Sequence, residues 1–137
     1  ITTEGVLKRI DTISQIKANK AFIMLGINDI TNGIEIDTIA KNYISIIEEL
    51  RKNEEMNLFV ESTLLINGLD SKLINQKVNA LNSMIRKYCF DNNIIFIELN
   101  SSLSSQGELN KMYSFDGLHL NGNGYLVLSE VIKKLIK

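Results

Sequence analysis

His119, the only histidine of the chain, follows Asp116 by three positions in the segment SFDGLHLNGNGY, residues 114–125. A carboxylate at this spacing can accept a hydrogen bond from one imidazole nitrogen, which fixes the tautomer and stabilises the imidazolium. The other nitrogen is then free to take a proton from a hydroxyl nucleophile, so the pair is a candidate catalytic base with its orienting acid. The alternative is a histidine near a helix start that only hydrogen-bonds the backbone, and a lone D-x-x-H pattern favours that alternative.

The tetrapeptide GIND, residues 26–29, is a second candidate for chemistry. Gly26 lets the chain turn at the end of an apolar run, and Asn28 could then project its amide over the edge of a sheet. An amide N–H aimed at a developing oxyanion is an established catalytic device. Asparagine and aspartate also form turns on their own, and Asp29 could serve only to hold the loop through hydrogen bonds to its own backbone.

The sequence indicates neither a nucleophile nor a metal site. Ser62 ends a predicted strand and Ser114 precedes the aspartate by two positions, but neither lies on the tight strand-to-helix turn that exposes a hydroxyl nucleophile. Cys89 occupies a helical position between two aromatic residues, which favours a buried structural thiol. With one histidine and one cysteine the sequence predicts no metal centre, and no motif indicates an organic cofactor.

The elements that position these residues follow from hydrophobic periodicity. Short apolar runs predict strands at KAFIMLG, NLFVEST and IIFIEL, the first of them buried on both faces. The segments INDITNG and NSSLSSQGELNKMYSFDG are predicted loops. Helical spacing of apolar residues predicts four helices: one with Thr3 as its N-cap, one from Ile36 to Leu50, one from Ser71 to about Asn92, and a last one capped by Asn121.

This alternation predicts a single α/β domain over residues 1–137, with parallel strands joined by right-handed crossovers. In such sheets, ligands bind outside the carboxyl ends of the strands. The segments GIND, STLLING and the loop with DGLH each follow one of the three strands. The topology alone therefore predicts that Asn28 and His119 converge at one edge of the sheet.

Composition narrows the expected partners. Lys and Arg number 15 and Asp and Glu 16, the formal net charge is −1, and no basic cluster occurs, which argues against a nucleic-acid partner. No apolar run approaches the roughly 20 residues of a membrane-crossing helix, so no membrane association is expected. A hydrophobic content of 45% suffices for a packed core. No secretory signal is visible, and the compartment is left open.

Together, FIMLGIND after a helix and DGLHLNGNGY before the final helix, with the intervening elements in this order, resemble the GDSL or SGNH family of serine esterases and acyl hydrolases. The resemblance implies a flavodoxin-like, three-layer α/β/α sandwich. It further implies that Asn28 contributes to the oxyanion hole and that Gly26 and Asp29 shape the loop beside it. His119 would be the general base, and Asp116 would orient it. No cofactor is implied.

Two sequence blocks of that family have no match in the chain. Family members carry a Gly-Asp-Ser stretch whose serine is the nucleophile, and a later glycine that gives a second oxyanion donor. No Gly-Asp-Ser occurs in the 137 residues. Two family strands are also unmatched, one of which lies beside the AFIML strand. We therefore expect a truncated domain, inactive alone, whose exposed AFIML edge is available for self-association.

The expected function is ester hydrolysis that releases acetyl or another short acyl group from a carbohydrate or a small ester. The loops around the site are short and polar, which predicts a shallow, open site. A non-catalytic ligand-binding or partner-binding module, or pseudoenzyme, is the alternative, and the missing serine favours it. A regulatory or nucleotide-binding domain would need an acidic cluster or a Gly-rich phosphate loop after the first strand, and GIND offers neither.

Overall fold

The computed structural model describes residues 1–136. Strands are short and helices alternate with them, as the periodicity predicted. The helices are α1 (Thr3–Lys8), α2 (Ile10–Ser14), α3 (Ile27–Thr31), α4 (Ile36–Arg51), α5 (Ser71–Asp91), α6 (Asn100–Leu103) and α7 (Gly122–Leu135). The strands are β1 (Lys20–Ile23), β2 (Asn57–Glu61), β3 (Ile95–Ile97), β4 (Ser104–Ser105) and β5 (Glu108–Leu109), and a 3-10 turn covers Lys111–Tyr113.

The main sheet has three parallel strands in the order β1-β2-β3. Phe22 is paired with Phe59, and Val60 with Phe96, which fixes the register of the two strand pairs. The helical crossovers α4 and α5 join the strands, so the predicted parallel α/β arrangement is confirmed. The strands β4 and β5 form a separate antiparallel pair within the polar segment after β3.

Successive strand residues point to opposite faces of the sheet, and helices pack against both faces. Val60 packs in a cluster with residues of α4 and α5, including Tyr43 and Leu81. Its neighbour Phe59 packs on the other face, in a cluster that includes Leu128 of α7. Helices α1 and α2 extend the first layer by packing against α4. The result is the three-layer α/β/α sandwich that the resemblance implied.

The prediction that the first strand is buried on both faces is wrong. Among the described residues, β1 pairs with β2 alone and forms one edge of the sheet. Its residues are alternately exposed and partly buried, and Phe22 keeps 39% of its surface. The ring of Phe22 stacks on Phe59 with centroids 4.9 Å apart, which covers only one of its faces. An edge strand of this kind presents unpaired backbone groups to its surroundings.

The predicted boundaries at the start of the chain also need correction. Thr2, rather than Thr3, is the N-cap of the first helix, and its hydroxyl accepts a hydrogen bond from the amide of Gly5. The predicted single helix is divided at Arg9 into α1 and α2. The segment after β1 is the short helix α3 rather than a loop, and Asn28 lies in its first turn. Short polar residues suit turns and first helical turns equally well, so composition could not distinguish the two.

In the described part of the chain, no helix combines the length and the apolar character needed to cross a membrane. Within residues 1–136, no three or more His, Cys, Asp and Glu side chains are grouped so that they could hold a metal ion.

Candidate active site

Asp116 and His119 form a hydrogen-bonded pair just before α7. The Nδ1 of His119 lies 2.7 Å from Oδ2 of Asp116. The other carboxylate oxygen of Asp116 accepts hydrogen bonds from the backbone amides of Leu118 and His119, at 2.8 and 2.7 Å. An ionised carboxylate only accepts, so Nδ1 of the imidazole donates and Nε2 is the acceptor nitrogen. The imidazole side chain is 76% exposed, which leaves Nε2 accessible.

These hydrogen bonds keep Asp116 ionised. The His119 ring lowers the pKa of the Asp116 carboxyl most, and the backbone amides of His119 and Leu118 lower that pKa further. A carboxyl whose pKa is lowered by folding stabilises the fold above the unfolded value of about 3.9, and that stabilisation is lost as the pH falls through the folded pKa. Asp116 is therefore ionised throughout the range above about pH 4.

We expect the side-chain carboxyl of Asp116 to titrate below the range of ordinary aspartates when it is followed by ¹³C NMR. His119→Ala should raise the pKa of Asp116, because the imidazole is the largest cause of the shift. The backbone hydrogen bonds should keep the pKa below the ordinary value of about 3.9 in the variant. An identical titration of Asp116 in both proteins would contradict the hydrogen bond between the two side chains.

The turn that carries the pair is tied to the segment after β2. The carbonyl oxygen of Gly117 accepts a hydrogen bond from the amide of Asn67 at 2.8 Å. Gly117 has a φ of 80°, and a Cβ at this position would lie 2.2 Å from the carbonyl oxygen of Asn67. Only glycine fits such a close backbone approach at positive φ. The loop therefore holds the Asp116–His119 pair in one place relative to the sheet.

Asn28 is positioned by the turn between β1 and α3. Gly26, the residue before that helix, has a φ of 116°, and an added Cβ would lie 2.5 Å from the side chain of Leu81. The amide nitrogen of Asn28 donates one hydrogen bond, of 3.2 Å, to the carbonyl oxygen of Ile1. An asparagine amide has two N–H donors, so one remains available to a ligand.

The buried side chain of Asp29 stabilises this turn through hydrogen bonds to α1. It accepts from the backbone amide of Thr3 at 3.0 Å and from the hydroxyl of Thr3 at 2.6 Å. Asn42 of α4 donates to the same hydroxyl at 3.2 Å. Asp29 thus fastens α3 to α1 and α4, instead of bonding only its own turn. Its contacts orient the helix that presents Asn28.

Asn28 and His119 line the same cavity at the carboxyl end of the sheet. The cavity has a volume of about 250 Å³ and opens to the surface. Thr63, which follows β2, adds a third polar residue, but its hydroxyl is already donated to the carbonyl of Leu25 at 2.7 Å. The remaining lining is apolar and comprises Met24, Ile27, Leu64, Ile66, Leu118, Leu120, Tyr125 and Leu128. The convergence predicted from topology is therefore present in the structure.

The apolar lining was missed at the sequence level. Its residues come from the segment after β1, which includes the start of α3, from the segment after β2, from the loop before α7 and from α7 itself. Each lies in an apolar pattern typical of core residues, and no local signal separates a pocket wall from a core. Met24 and Leu64, 40 positions apart in sequence, both pack against the cluster around Phe59 on one side of the sheet.

The other reactive side chains are engaged in structural contacts. The hydroxyl of Ser62 is buried, accepts from the amide of Leu99 at 2.9 Å and donates to Glu98 at 3.4 Å. The hydroxyl of Ser114 accepts from the amide of Gly117 at 2.9 Å and contacts the carboxylate of Asp116. Burial raises the pKa of the Cys89 thiol to about 11, so it stays protonated. None of the three lines the cavity with His119.

Comparisons with known proteins agree with this geometry. The model of the GDSL-like Lipase/Acylhydrolase family matches residues 1–127. An N-acylneuraminate cytidylyltransferase of Escherichia coli is 36% identical over 121 residues, which cover 85% of this chain and 28% of that protein. Similar enzymes of Streptococcus agalactiae are also matched over 28% of their length, so the chain spans little more than a quarter of these curated relatives.

Solved structures share the fold over nearly the whole chain. A GDSL-like lipase from Bacteroides thetaiotaomicron superposes with a TM-score of 0.85 and 25% identity, over 99% of this chain and 71% of that one. A catalytic mutant of an acetylxylan esterase from Geobacillus stearothermophilus gives a TM-score of 0.79 at 16% identity, over 98% of this chain and 67% of that one. The second likeness shows the fold alone.

Proposed function

The chain belongs to the GDSL-like lipase and acylhydrolase family, and on that basis we propose that it carries the general base and an oxyanion donor of an ester hydrolase site. The observation that carries the proposal is the single cavity lined by Asn28 and His119, with Asp116 bonded to the far side of the imidazole. A base and an amide donor at one small cavity are the two groups that acyl transfer needs besides a nucleophile.

In the proposed reaction, Nε2 of His119 takes the proton of a serine hydroxyl as its oxygen attacks the ester carbonyl carbon. The carbonyl oxygen becomes an oxyanion, and the free N–H of Asn28 donates to it. The imidazolium, stabilised by Asp116, then gives its proton to the departing alcohol oxygen as the tetrahedral intermediate collapses. The same nitrogen then takes a proton from water as the water oxygen attacks the acyl carbon. It returns that proton to the serine oxygen as the bond between serine and the acyl group breaks, which releases the acid and restores the serine. The serine would come from a Gly-Asp-Ser block, which residues 1–137 do not contain.

We propose a short acyl group such as acetyl. The cavity of about 250 Å³ is smaller than the roughly 300–1,000 Å³ of pockets that hold drug-sized ligands. Its apolar wall suits the hydrocarbon part of an acyl group, and its polar residues lie where the carbonyl would react. Among the similar proteins are an acetylxylan esterase and N-acylneuraminate cytidylyltransferases, which favours a carbohydrate as the alcohol part.

An esterase assay tests the proposal. We define the completed enzyme as residues 1–137 joined to a segment from a solved relative that supplies the Gly-Asp-Ser block. The completed enzyme should hydrolyse p-nitrophenyl acetate and react with a serine-directed phosphonate probe. Residues 1–137 alone should do neither. A completed enzyme that folds, yet neither hydrolyses the ester nor reacts with the probe, would show that the proposed function is wrong.

Replacing Asn28 with alanine in the completed enzyme should lower kcat by about 10²–10³-fold, the cost of removing one oxyanion donor. The KM for p-nitrophenyl acetate should change little, because the amide binds the charge that develops only in the transition state. Asn32→Ala is the matched control, since Asn32 is an exposed asparagine at the end of the same short helix. Equal kcat values for the Asn28→Ala and Asn32→Ala enzymes would show that Asn28 does not contribute to the oxyanion hole.

We also propose that the open edge of β1 permits self-association of residues 1–137. The support is that β1 has a strand neighbour on one side only within the described structure, together with the exposed Phe22 beside that edge. Sedimentation over a range of concentrations should show dimers at the highest concentrations. A monomer across the whole range would count against this proposal.

A further inference from the structure

A second concavity, of about 290 Å³, adjoins the Asp116–His119 pair and has no role in the proposed reaction. Asp116 lies in its wall, together with Phe115 and Gly117 from the same turn. Asn67 and Lys111 contribute polar groups from two other segments. The cavity with His119 and this concavity thus lie next to each other, with the acid of the catalytic pair between them.

Phe115 is the most exposed large apolar side chain of this region. It keeps 96% of its surface although it directly precedes Asp116. The backbone around it is held in place, because the hydroxyl of Ser114 accepts from the amide of Gly117 at 2.9 Å and the carbonyl of Gly117 accepts from Asn67 at 2.8 Å. The turn therefore fixes where the Phe115 ring is attached, and its exposed aromatic face is available to a ligand.

Polar groups with free capacity surround that face. The ammonium of Lys111 is exposed and makes no ion pair or hydrogen bond among residues 1–136. Asn67 donates one hydrogen bond to the carbonyl oxygen of Leu109 at 3.0 Å, which leaves its side-chain oxygen and one N–H available. An aromatic face flanked by an amide and an ammonium matches a sugar ring, which has an apolar C–H face and a rim of hydroxyl groups.

We propose that this concavity binds the sugar ring that carries the ester, with Phe115 against the C–H face and Asn67 and Lys111 bonded to the rim. This inference rests on the proposed function and adds to it the location of the alcohol part. The ester and its acyl group would lie in the apolar cavity beside His119, and the alcohol part would extend past the Asp116–His119 pair into the concavity. Phe115 and Lys111 are specificity-determining residues in this arrangement, and they take no part in proton transfer.

Sugar binding can be measured on residues 1–137, without hydrolysis. The probes are methyl β-D-xylopyranoside and N-acetylneuraminic acid, each titrated while ¹H–¹⁵N NMR follows the amides of Asn67 and Gly117. At least one sugar should give saturable shifts confined to the concavity. Phe115→Ala should weaken that binding by about tenfold, the upper end of an aromatic contact. Lys111→Gln should weaken it as well.

Matched controls keep the test independent of folding and of the proposed function. Phe90→Ala removes an 83% exposed ring near the end of α5, and Lys133→Gln removes a lysine from the last turn of α7, so neither should alter binding. No saturable binding of either sugar, or equal affinities for the Phe115→Ala and Phe90→Ala proteins, would overturn the inference. Ester hydrolysis by the completed enzyme would in that case still support the proposed function.

Discussion

Replacing His119 with alanine should lower the kcat of the completed enzyme by about 10⁶-fold, as the loss of the base does in other serine hydrolases. Without Nε2, no group of the described structure at the cavity can take the proton of the nucleophile or return one to the leaving alcohol. The chain has no second histidine to substitute. The measurement is the steady-state hydrolysis of p-nitrophenyl acetate, corrected for the uncatalysed rate.

The loss should be chemical rather than structural. The imidazole is 76% exposed, so its removal leaves the core intact, and thermal unfolding should change little. The KM should also be nearly unchanged, since the base contributes to the transition state rather than to ground-state binding. Turnover by the His119→Ala enzyme at the parent rate would end the assignment of this residue as the base.

Asp116→Asn should lower kcat by about 10⁴-fold, the second largest effect we expect. The side-chain oxygen of the asparagine can still accept from the amides of Leu118 and His119, so the turn should keep its shape. The amide NH₂ would face Nδ1 of the imidazole and favour the tautomer that carries the proton on Nε2. A base already protonated at the reacting nitrogen cannot accept the hydroxyl proton.

A control substitution at another carboxylate tests whether the loss of kcat in Asp116→Asn comes only from the removal of one negative charge. Asp37 lies exposed in the first turn of α4, and Asp37→Asn should leave kcat unchanged. The Asp116→Asn enzyme should regain some activity at high pH, where hydroxide competes with the missing base, whereas the parent enzyme should not. Loss of activity by the same factor in both asparagine variants would contradict an orienting role for Asp116.

Sequence reasoning predicted the features that depend on local spacing. The order of helices and parallel strands follows from hydrophobic periodicity, and comparison with solved GDSL-like structures confirms the fold. The Asp116–His119 hydrogen bond is also local, since three residues separate the two side chains. The cap of α7 by Asn121 was predicted on the same grounds and is present, with its side chain accepting from Gly124 at 2.9 Å.

Features that depend on distant segments could not be predicted. Asp29 bonds Thr3 across 26 positions, and no pattern in either segment indicates the partner. The short helix α3 was predicted as a loop because its Asn and Asp residues suit both. The site was predicted to be shallow and open, with polar loops around it, and its apolar wall was not predicted, since residues from four segments meet there. The partial exposure of both faces of β1 was not predicted, because its apolar composition resembles that of a central strand. Its exposed edge, in contrast, was expected from the unmatched neighbouring strand and is present.

The proposed reaction requires that the base and the oxyanion donor act on the same acyl carbon. A crystal structure of the completed enzyme after reaction with a methylphosphonate probe tests it most directly. We predict that one phosphonyl oxygen lies about 2.7–3.1 Å from the amide nitrogen of Asn28, with Nε2 of His119 within hydrogen-bond distance of the modified hydroxyl oxygen. A phosphonate whose oxygens contact neither Asn28 nor His119 would contradict the account.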